Sequence, residues 1–177
     1  MIHRILVFSI ILILTGCNTV GKTRRFTPDA YSFFSYAVVD RDMRTMIIGD
    51  AGLPRAGLEQ LVTRELNDSY SYLRPNFTTR PSSSEVKPYK VIFAMNPPRN
   101  LLSDAICKDP VSVGAASKAE GGLLQIVAVF CEKDAMSEVR VSFPQPKSMN
   151  DPKLISVIST LAWALMPQEE SNKSDSQ

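Results

Sequence analysis

One stretch of the sequence constrains the fold more than any other: residues 123–131, Leu-Leu-Gln-Ile-Val-Ala-Val-Phe-Cys. Alternate side chains of a β-strand point to opposite faces, and here both alternating sets are apolar. One set comprises Leu124, Ile126, Ala128 and Phe130, and the other comprises Val127 and Val129. A strand of this kind is expected at the centre of a sheet, with both of its faces covered.

Further strands are indicated by short runs of β-branched and aromatic residues between turn-forming residues. The sequence predicts strands at Phe33 to Val39, Thr45 to Ile48, Tyr89 to Met95 and Val139 to Phe143. The first two strands would be joined by a turn at Asp40-Arg41-Asp42. The strand at 123–131 and the last strand would form a hairpin through a turn at Glu132-Lys133-Asp134.

Two amphipathic helices are predicted from the spacing of apolar residues. From Leu58 to Leu73 these residues recur at i, i+3 and i+4, and Pro75 would end this helix. The second helix would begin at Asp151 as N-cap with Pro152 in its first turn, and Pro167 would stop it.

The resulting order is ββαβββα, which is an α+β pattern. We expect one globular domain over residues 31–167, with a mainly antiparallel sheet and both helices packed on one face. Residues 77–87 read as a Ser-, Thr- and Pro-rich connection. Residues 109–122 are rich in Gly, Ala and Ser, and this composition does not favour an ordered structure.

The N-terminus has the features of a targeting segment. His3 and Arg4 precede the apolar run Ile5 to Leu14, which is shorter than the roughly 20 residues of a transmembrane helix and fits the apolar part of a signal peptide. The next residues, Leu14-Thr15-Gly16-Cys17, resemble the lipobox of bacterial lipoproteins. The resemblance implies cleavage after residue 16, attachment of diacylglycerol to Cys17 and acylation of the new amine. An ordinary secretory peptide with a chance Cys and an uncleaved helix are the alternatives.

Lipidation would decide where the protein resides. Each buried methylene contributes about 0.8 kcal/mol, so two or three acyl chains would anchor the chain durably. Asn18 stands where an Asp would retain a lipoprotein of enteric type in the inner membrane, which favours the periplasmic face of the outer membrane. Residues 17–30 would be the lipidated N-terminus and tether, and 168–177 a disordered tail. The basic cluster Lys22, Arg24 and Arg25 would lie against anionic head groups or be solvated.

With Cys17 assigned to lipid, Cys107 and Cys131 remain as a pair in an oxidising periplasm. We predict a disulfide between them, which would close a loop of roughly 25 residues and contribute about 3 kcal/mol in the chain-entropy model. A redox pair is the alternative, but the CxxC arrangement that tunes such chemistry is missing.

The chain offers little catalytic chemistry. Its single His is His3, inside the predicted leader, which excludes Ser-His-Asp catalysis, Cys-His catalysis and His-ligated metal sites from the mature protein. Glu132 and Asp134 read as a solvated turn, and a dyad of Ser117 and Lys118 has no rigid site around it. A formal net charge of +2 is much lower than the positive charge expected of a nucleic-acid-binding domain. We predict no catalytic residue, metal, cofactor or nucleic-acid partner.

The mature domain resembles an uncharacterised family of short proteobacterial exported proteins. The matching landmarks are Ile47-Ile48-Gly49, Phe77-Thr78-Thr79, Asn96-Pro97-Pro98, Cys107 and Phe130-Cys131. The match would cover Met46 to about Pro167, with Lys133-Asp134 in place of the usual Gly-Asp turn. The resemblance implies a small envelope protein and lends no catalytic residues.

These features predict a non-enzymatic outer-membrane lipoprotein whose domain binds another envelope protein and assists assembly or maintenance of a complex. Trp163, on the polar side of the last helix, would contact a partner or the membrane, or else pack on the tether or a loop of its own domain. The alternatives are a carrier of a lipid or metabolite, with a cleft between helices and sheet, and a His-independent hydrolase. The oligomeric state is left open.

Overall fold

The computed structural model describes residues 21–118 and 122–166. Within them the chain forms β1 (Gly21–Phe26), α1 (Ala30–Val38), β2 (Asp42–Gly49), α2 (Arg55–Ser69), a short 3-10 helix (Ser71–Leu73), β3 (Asn76–Thr78), β4 (Lys90–Met95), α3 (Ser103–Lys108), α4 (Pro110–Ala116), β5 (Leu123–Cys131), β6 (Ala135–Pro144) and α5 (Pro152–Ala164). The predicted leader, Cys17, Pro167 and the tail lie outside the described residues.

The strands form one six-stranded sheet in the order β1-β6-β5-β4-β2-β3. The pairs β1/β6, β6/β5 and β5/β4 are antiparallel, whereas β4/β2 and β2/β3 are parallel. Helix α2 supplies the long crossover connection that parallel strands require. The predicted α+β class is confirmed, and the predicted central strand β5 does lie in the interior of the sheet.

The two predicted helices, α2 and α5, pack on the same face of the sheet as expected, and two helices that the sequence did not predict, α3 and α4, cover the opposite face. The face covered by α1, α2 and α5 is called the broad face, and the face covered by α3 and α4 the narrow face. On β5 the alternation is as predicted. Leu124, Ile126, Ala128 and Phe130 belong to the broad-face core, whereas Val127 and Val129 belong to the narrow-face core.

The predicted strand at Phe33 to Val39 is wrong, because this segment belongs to helix α1. Its aromatic and β-branched composition favours a strand. However, Ala30, Phe34, Ala37 and Val38 recur at helical spacing, and all four are fully buried. Phe34 packs edge-on against Tyr70 with ring centroids 4.8 Å apart. Tertiary packing therefore outweighs local strand propensity here.

Two segments expected to be irregular are ordered. Residues 21–26, assigned to the tether, form the edge strand β1, so the prediction of a tether over 17–30 is wrong for this part. Residues 110–116, assigned to an unordered loop, form α4. Asp109 caps this helix by accepting a hydrogen bond from the Ser112 amide at 3.1 Å. A Cβ on Gly114 would lie 3.2 Å from the Ile48 Cβ, so the small residue lets α4 approach β2 closely.

The connection at 77–87 begins within the short strand β3 and continues as a loop held by Asp42. The Asp42 carboxylate accepts hydrogen bonds from the Ser82 amide at 2.5 Å and the Asn76 side chain at 2.7 Å. These hydrogen bonds lower the pKa of Asp42 below its ordinary value. Arg44 and Glu85 add a bidentate ion pair with distances of 2.5 and 2.9 Å.

Strand register defines two ends of the sheet. The Gly21 end contains Gly21, Gly49, Met95 and Leu123, whereas the Tyr89 end contains Phe26, Asp42, Tyr89 and Cys131. Helices α2 and α5 both follow strands that end at the Gly21 end, and both run to the Tyr89 end. There the Tyr70 hydroxyl donates to the Ala162 carbonyl at 2.6 Å and accepts from the Met166 amide at 3.1 Å.

Candidate functional site

The predicted disulfide between Cys107 and Cys131 is confirmed. It joins the end of α3 to the end of β5, with a Cα–Cα distance of 5.7 Å. Both residues are buried in the narrow-face core. Burial of both half-cystines is typical of a structural bond, since redox cysteines need access to solvent.

A buried ion cluster stands beside the disulfide on the narrow face. Glu138 of β6 is 7% exposed and accepts hydrogen bonds from the Ser103 hydroxyl and the Arg140 guanidinium. Arg140 also donates to the Leu101 carbonyl at 2.7 Å. Burial raises the pKa of Glu138, but the hydrogen bonds from Arg140 and Ser103 outweigh it and hold the pKa below its usual value. The cluster therefore fastens the start of α3 to β6.

A cleft of about 560 Å³ opens over this cluster, between α3, β6 and the end of β1. We call it the Glu138 cleft. Its charged groups include Arg25, Asp104, Glu138 and Arg140. Glu138 uses both carboxylate oxygens within the cluster, which leaves the cleft with few convergent polar groups for a ligand.

A second cleft, of about 300 Å³, lies at the Gly21 end of the narrow face and is called the Asn96 cleft. Asn96 follows β4 in a left-handed conformation with φ of 48°. Its side chain donates to the Asp50 carbonyl at 2.8 Å and accepts from the Gln125 amide at 2.9 Å. These bonds tie the ends of β2 and β4 to β5, so the corner that forms the cleft wall is rigid.

Two cationic residues line the Asn96 cleft. Among the described residues that line it, Arg99 and Lys118 carry positive charge and no side chain is acidic. The remaining lining residues are Asn96, Pro97, Pro98, Ala116, Leu123, Gln125 and Ser142. Two of the segments singled out in the sequence, Ile47-Ile48-Gly49 and Asn96-Pro97-Pro98, meet at this corner because β2 and β4 are parallel neighbours.

Four exposed aromatic residues lie on elements at the opposite, Tyr89 end of the molecule. They are Phe33, Tyr36, Tyr72 and Trp163, with exposed fractions of 38%, 60%, 56% and 50%. All four are carried by the elements of the broad face: Phe33 and Tyr36 by α1, Tyr72 by the 3-10 helix after α2, and Trp163 by the end of α5. We call this set the aromatic rim.

Helix α1 holds its two members of the rim in fixed positions. The rings of Phe33 and Tyr36 each lie 6.3 Å from the ring of buried Tyr89, and the Arg41 guanidinium lies 5.2 Å above Tyr36. Burial, with a smaller contribution from the charge of Glu132, raises the pKa of Tyr89 above its ordinary value. The part of the rim that α1 carries is therefore backed by the buried ring of Tyr89.

Two other residues that were considered as catalytic candidates from the sequence are bonded to neighbouring residues of the fold. Asp134 forms an exposed ion pair with Lys108 at 2.8 Å. The Ser117 hydroxyl donates to the Val113 carbonyl at 2.9 Å within its own helical turn. Over the described ranges, no group of three His, Cys, Asp or Glu residues could hold a metal ion. None of the helices in these ranges is long and apolar enough to cross a membrane.

Sequence reasoning missed most of the rim, the ion cluster and the charged cleft. Reading Phe33 to Val39 as a strand hid the fact that Phe33 and Tyr36 share the outer side of a helix. The spacing of Ala30, Phe34, Ala37 and Val38 is the signal that could have found it. The partners of Glu138 and the cations of the Asn96 cleft come from separate segments and have no local signal.

No family model matches the chain, and no curated protein is similar to it at a significant level. A solved structure with a similar course of the chain is the PelC dodecamer from Paraburkholderia phytofirmans. The likeness has a TM-score of 0.42 and 10% sequence identity, and it covers 85% of this chain and 100% of that chain. A likeness this remote carries no functional argument.

Proposed function

We propose that this protein is a lipid-anchored lipoprotein on the periplasmic face of the outer membrane that binds another envelope protein through the aromatic rim, without catalysis. The observation that carries the proposal is the exposure of Phe33, Tyr36, Tyr72 and Trp163 on elements at the Tyr89 end of the molecule. The lipobox at Leu14 to Cys17 supports the anchor.

The composition of the rim fits a protein-binding surface. Trp, Tyr and Arg are the residues that most often dominate the energy of protein interfaces. The rim contains Trp163, Tyr36 and Tyr72, and Arg41 lies over the Tyr36 ring. Phe33 and Tyr36 are already held against Tyr89, so little side-chain freedom would be lost on binding.

The position of the rim also suits a lipid-anchored binding module. Strand β1 enters the sheet at Gly21 and runs to Phe26 at the Tyr89 end. Its five residue steps cover about 17 Å. With Cys17 in the membrane, the rim would be the part of the domain furthest from the bilayer and accessible to a periplasmic partner.

Two features favour binding over catalysis. The only imidazole of the chain, His3, would leave with the leader. In the Glu138 cleft, Glu138, Arg140 and Ser103 bond to one another instead of converging on open space. The size of this cleft, about 560 Å³, is the observation that favours a small-ligand carrier as the second candidate function.

Site-specific photocrosslinking in intact cells separates these two functions. A photoreactive phenylalanine analogue at Tyr36 probes the rim, and the same analogue at Leu102, an exposed residue lining the Glu138 cleft, is the matched control. We expect one discrete protein adduct from position 36 and none from position 102. Absence of a protein adduct at 36, together with a lipid or metabolite that co-purifies with the protein, would favour the carrier.

The anchor is tested by Cys17→Ala. We expect this variant to lose the mass of the attached lipid and to leave the membrane fraction, because the lipobox reaction requires the sulfur. Cys107→Ser together with Cys131→Ser is the control, since it removes the other two cysteines and should leave lipidation intact. Normal processing and membrane retention of Cys17→Ala would contradict the proposal.

A further inference from the structure

We propose that Arg41, beside the aromatic rim, binds a carboxylate of the partner protein, so that the partner presents an Asp or Glu side chain next to apolar residues. The inference rests on the proposed function and adds the chemistry of the partner to it. Three observations carry it: the position of the Arg41 guanidinium over Tyr36, its unused hydrogen-bond donors, and the fixed backbone that holds it.

The first observation is the place of the Arg41 guanidinium at the rim. Its central carbon lies 5.2 Å from the centroid of the Tyr36 ring, a position in which the ring attracts a cation. The rings of Tyr36 and Phe33 both contact the ring of buried Tyr89, with centroids 6.3 Å apart in each case. Arg41 therefore adds a positive charge to the edge of the aromatic surface that α1 carries.

The second observation is that most hydrogen-bond donors of Arg41 are unused. Only its Nη1 atom makes a hydrogen bond, to the Tyr36 carbonyl at 3.2 Å. Among the described residues no carboxylate pairs with Arg41, and the neighbouring Asp40 carboxylate is bound by Arg74 at 2.8 Å. The Nε and Nη2 atoms of an arginine can donate together to both oxygens of one carboxylate. This pair of donors is therefore available to a partner.

The third observation is that the backbone of Arg41 is held on both sides. Its amide donates to the Val38 carbonyl at 3.2 Å, and its carbonyl accepts from the Asn76 amide at 2.9 Å. These bonds join the residue to the end of α1 and to the start of β3. Because the guanidinium is also bound to the Tyr36 carbonyl, little side-chain freedom would be lost when a carboxylate binds.

These features favour an acidic side chain over the other groups that a protein partner can offer. The planar guanidinium matches the geometry of a carboxylate, and the pair becomes stronger when the surrounding interface excludes water. A guanidinium enclosed in an interface without an acceptor would lose its hydration without compensation. A partner segment that covers Phe33 and Tyr36 therefore gains most when a carboxylate meets Arg41.

Three other roles of Arg41 compete with this one. In the first, the residue only holds the Tyr36 ring in place. In the second, it pairs with an acidic residue of a second copy of the chain. In the third, it pairs with residues 167–177, which lie outside the described residues and contain Glu169 and Glu170. The experiments must therefore show that a preference for acidic partners follows the charge at position 41.

The test selects peptides from a random library displayed on phage, with the full-length lipidated protein in phosphatidylcholine nanodiscs as the target. Peptides that fail to bind Tyr36→Ala are the ones that need the rim. We expect these peptides to carry Asp or Glu beside aromatic or aliphatic residues. Selection against Arg41→Glu should instead yield Lys or Arg at that position, which a residue that only supports Tyr36 would not cause. Rim-dependent peptides without an acidic preference, or with the same preference against Arg41→Glu, would overturn the proposal.

The contribution of Arg41 is measured with a synthetic peptide of the selected sequence. Arg41→Gln should raise the Kd about tenfold, because a charge-assisted pair of hydrogen bonds is lost. Arg41→Lys should have nearly the same effect, since Lys keeps the charge but not the planar pair of donors. Arg80→Gln removes the charge of an exposed arginine outside the rim and should leave the Kd unchanged. Wild-type affinity of Arg41→Lys, or equal losses from Arg41→Gln and Arg80→Gln, would overturn the bidentate contact.

Photocrosslinking in intact cells keeps the two proposals apart. A photoreactive phenylalanine analogue at Phe33 leaves Tyr36 and Arg41 in place. We expect an adduct whose partner segment contains Asp or Glu, and a weaker adduct from Arg41→Gln. If an adduct forms but does not depend on Arg41, the rim still binds a partner and the carboxylate contact alone is wrong. An adduct with residues 167–177 or with a second copy would overturn the partner chemistry, and the absence of any adduct would overturn the proposed function and this inference with it.

Discussion

The two faces of the sheet are covered in different ways. The broad face carries helices of 9, 15 and 13 residues, whereas the narrow face carries helices of only 6 and 7 residues. The broad-face core is built from large apolar side chains such as Phe34, Leu66 and Phe130. The narrow-face core is much smaller and is accompanied by the disulfide and the Glu138 cluster.

The difference shows that a face with little buried apolar surface needs other interactions to stabilise it. Helices of one or two turns are marginal by themselves and bury little area. The narrow face is therefore fastened by a covalent bond and by an ion pair, and its incomplete cover leaves both clefts open. The broad face has the larger apolar core and carries exposed aromatic side chains at one end.

The largest effect on stability is expected on the broad face, from Phe34→Ala. Phe34 is fully buried and contacts the rings of Tyr70, Phe77 and Phe130. Removing such a ring leaves a cavity, and we expect the free energy of unfolding to fall by about 4 kcal/mol in urea denaturation. Ser32→Ala on the exposed side of the same helix is the control, with an expected change below about 0.5 kcal/mol. Similar losses in both variants would mean that α1 is not packed as described.

The disulfide should be the main support of the narrow face. We expect Cys107→Ser with Cys131→Ser to lower the free energy of unfolding by about 3 kcal/mol. Hydrogen exchange should quicken most in α3 and α4, with little change in α2 and α5 relative to global unfolding. Equal acceleration of exchange on both faces would remove the contrast between them.

Glu138→Gln should have a smaller, pH-dependent effect on the narrow face. At neutral pH we expect a loss of about 2 kcal/mol, because charged hydrogen bonds from Arg140 and Ser103 are weakened. The pKa of Glu138 is lowered in the fold, so its contribution is present above the ordinary value of 4.5 and is lost as the pH falls through the folded value.

Chemical denaturation at a series of pH values tests this effect. The difference between wild type and Glu138→Gln should shrink as the solution becomes more acidic. Asp134→Asn breaks the exposed pair with Lys108 and should leave stability nearly unchanged at every pH. A difference for Glu138→Gln that grows on acidification would contradict the assigned direction of the pKa.

The smallest effect on stability is expected at the aromatic rim. Because half of the Trp163 side chain is exposed, Trp163→Ala should change the free energy of unfolding by less than about 1 kcal/mol. The same substitution should strongly reduce the protein adduct formed from position 36. Unchanged crosslinking would place Trp163 outside the partner surface, and a large stability loss would make it part of the broad-face core.

Patterns within single segments predicted much of the broad face. The periodicity from Leu58 onward identified α2, and Asp151 with Pro152 identified the start of α5, where Asp151 accepts from the Lys153 amide at 2.9 Å. Helix α1 was missed because a short aromatic segment satisfies strand propensity and helical periodicity equally well. The contacts of Phe34 decided between them.

The candidate surfaces were less accessible to sequence reasoning. Trp163 was singled out as a partner contact because it falls on the polar side of its helix, and it is half exposed. That Trp163 lies at the same end of the molecule as Phe33 and Tyr36 follows only from the directions of α1 and α5 in the fold. Arg99 and Lys118 meet at one cleft because the strand order brings residue 99 and the end of α4 to the same corner.

The sequence by itself determined the doubly apolar strand at 123–131, the helices begun at Arg55 and Pro152, and the pairing of Cys107 with Cys131. Each depends on periodicity, capping or residue count, which are local properties. Only the tertiary structure decided that residues 21–26 join the sheet and that a Gly- and Ala-rich segment forms α4. Backbone pairing at a sheet edge and close approach over Gly114 depend on a surface made by distant segments, and a linear pattern cannot contain that surface.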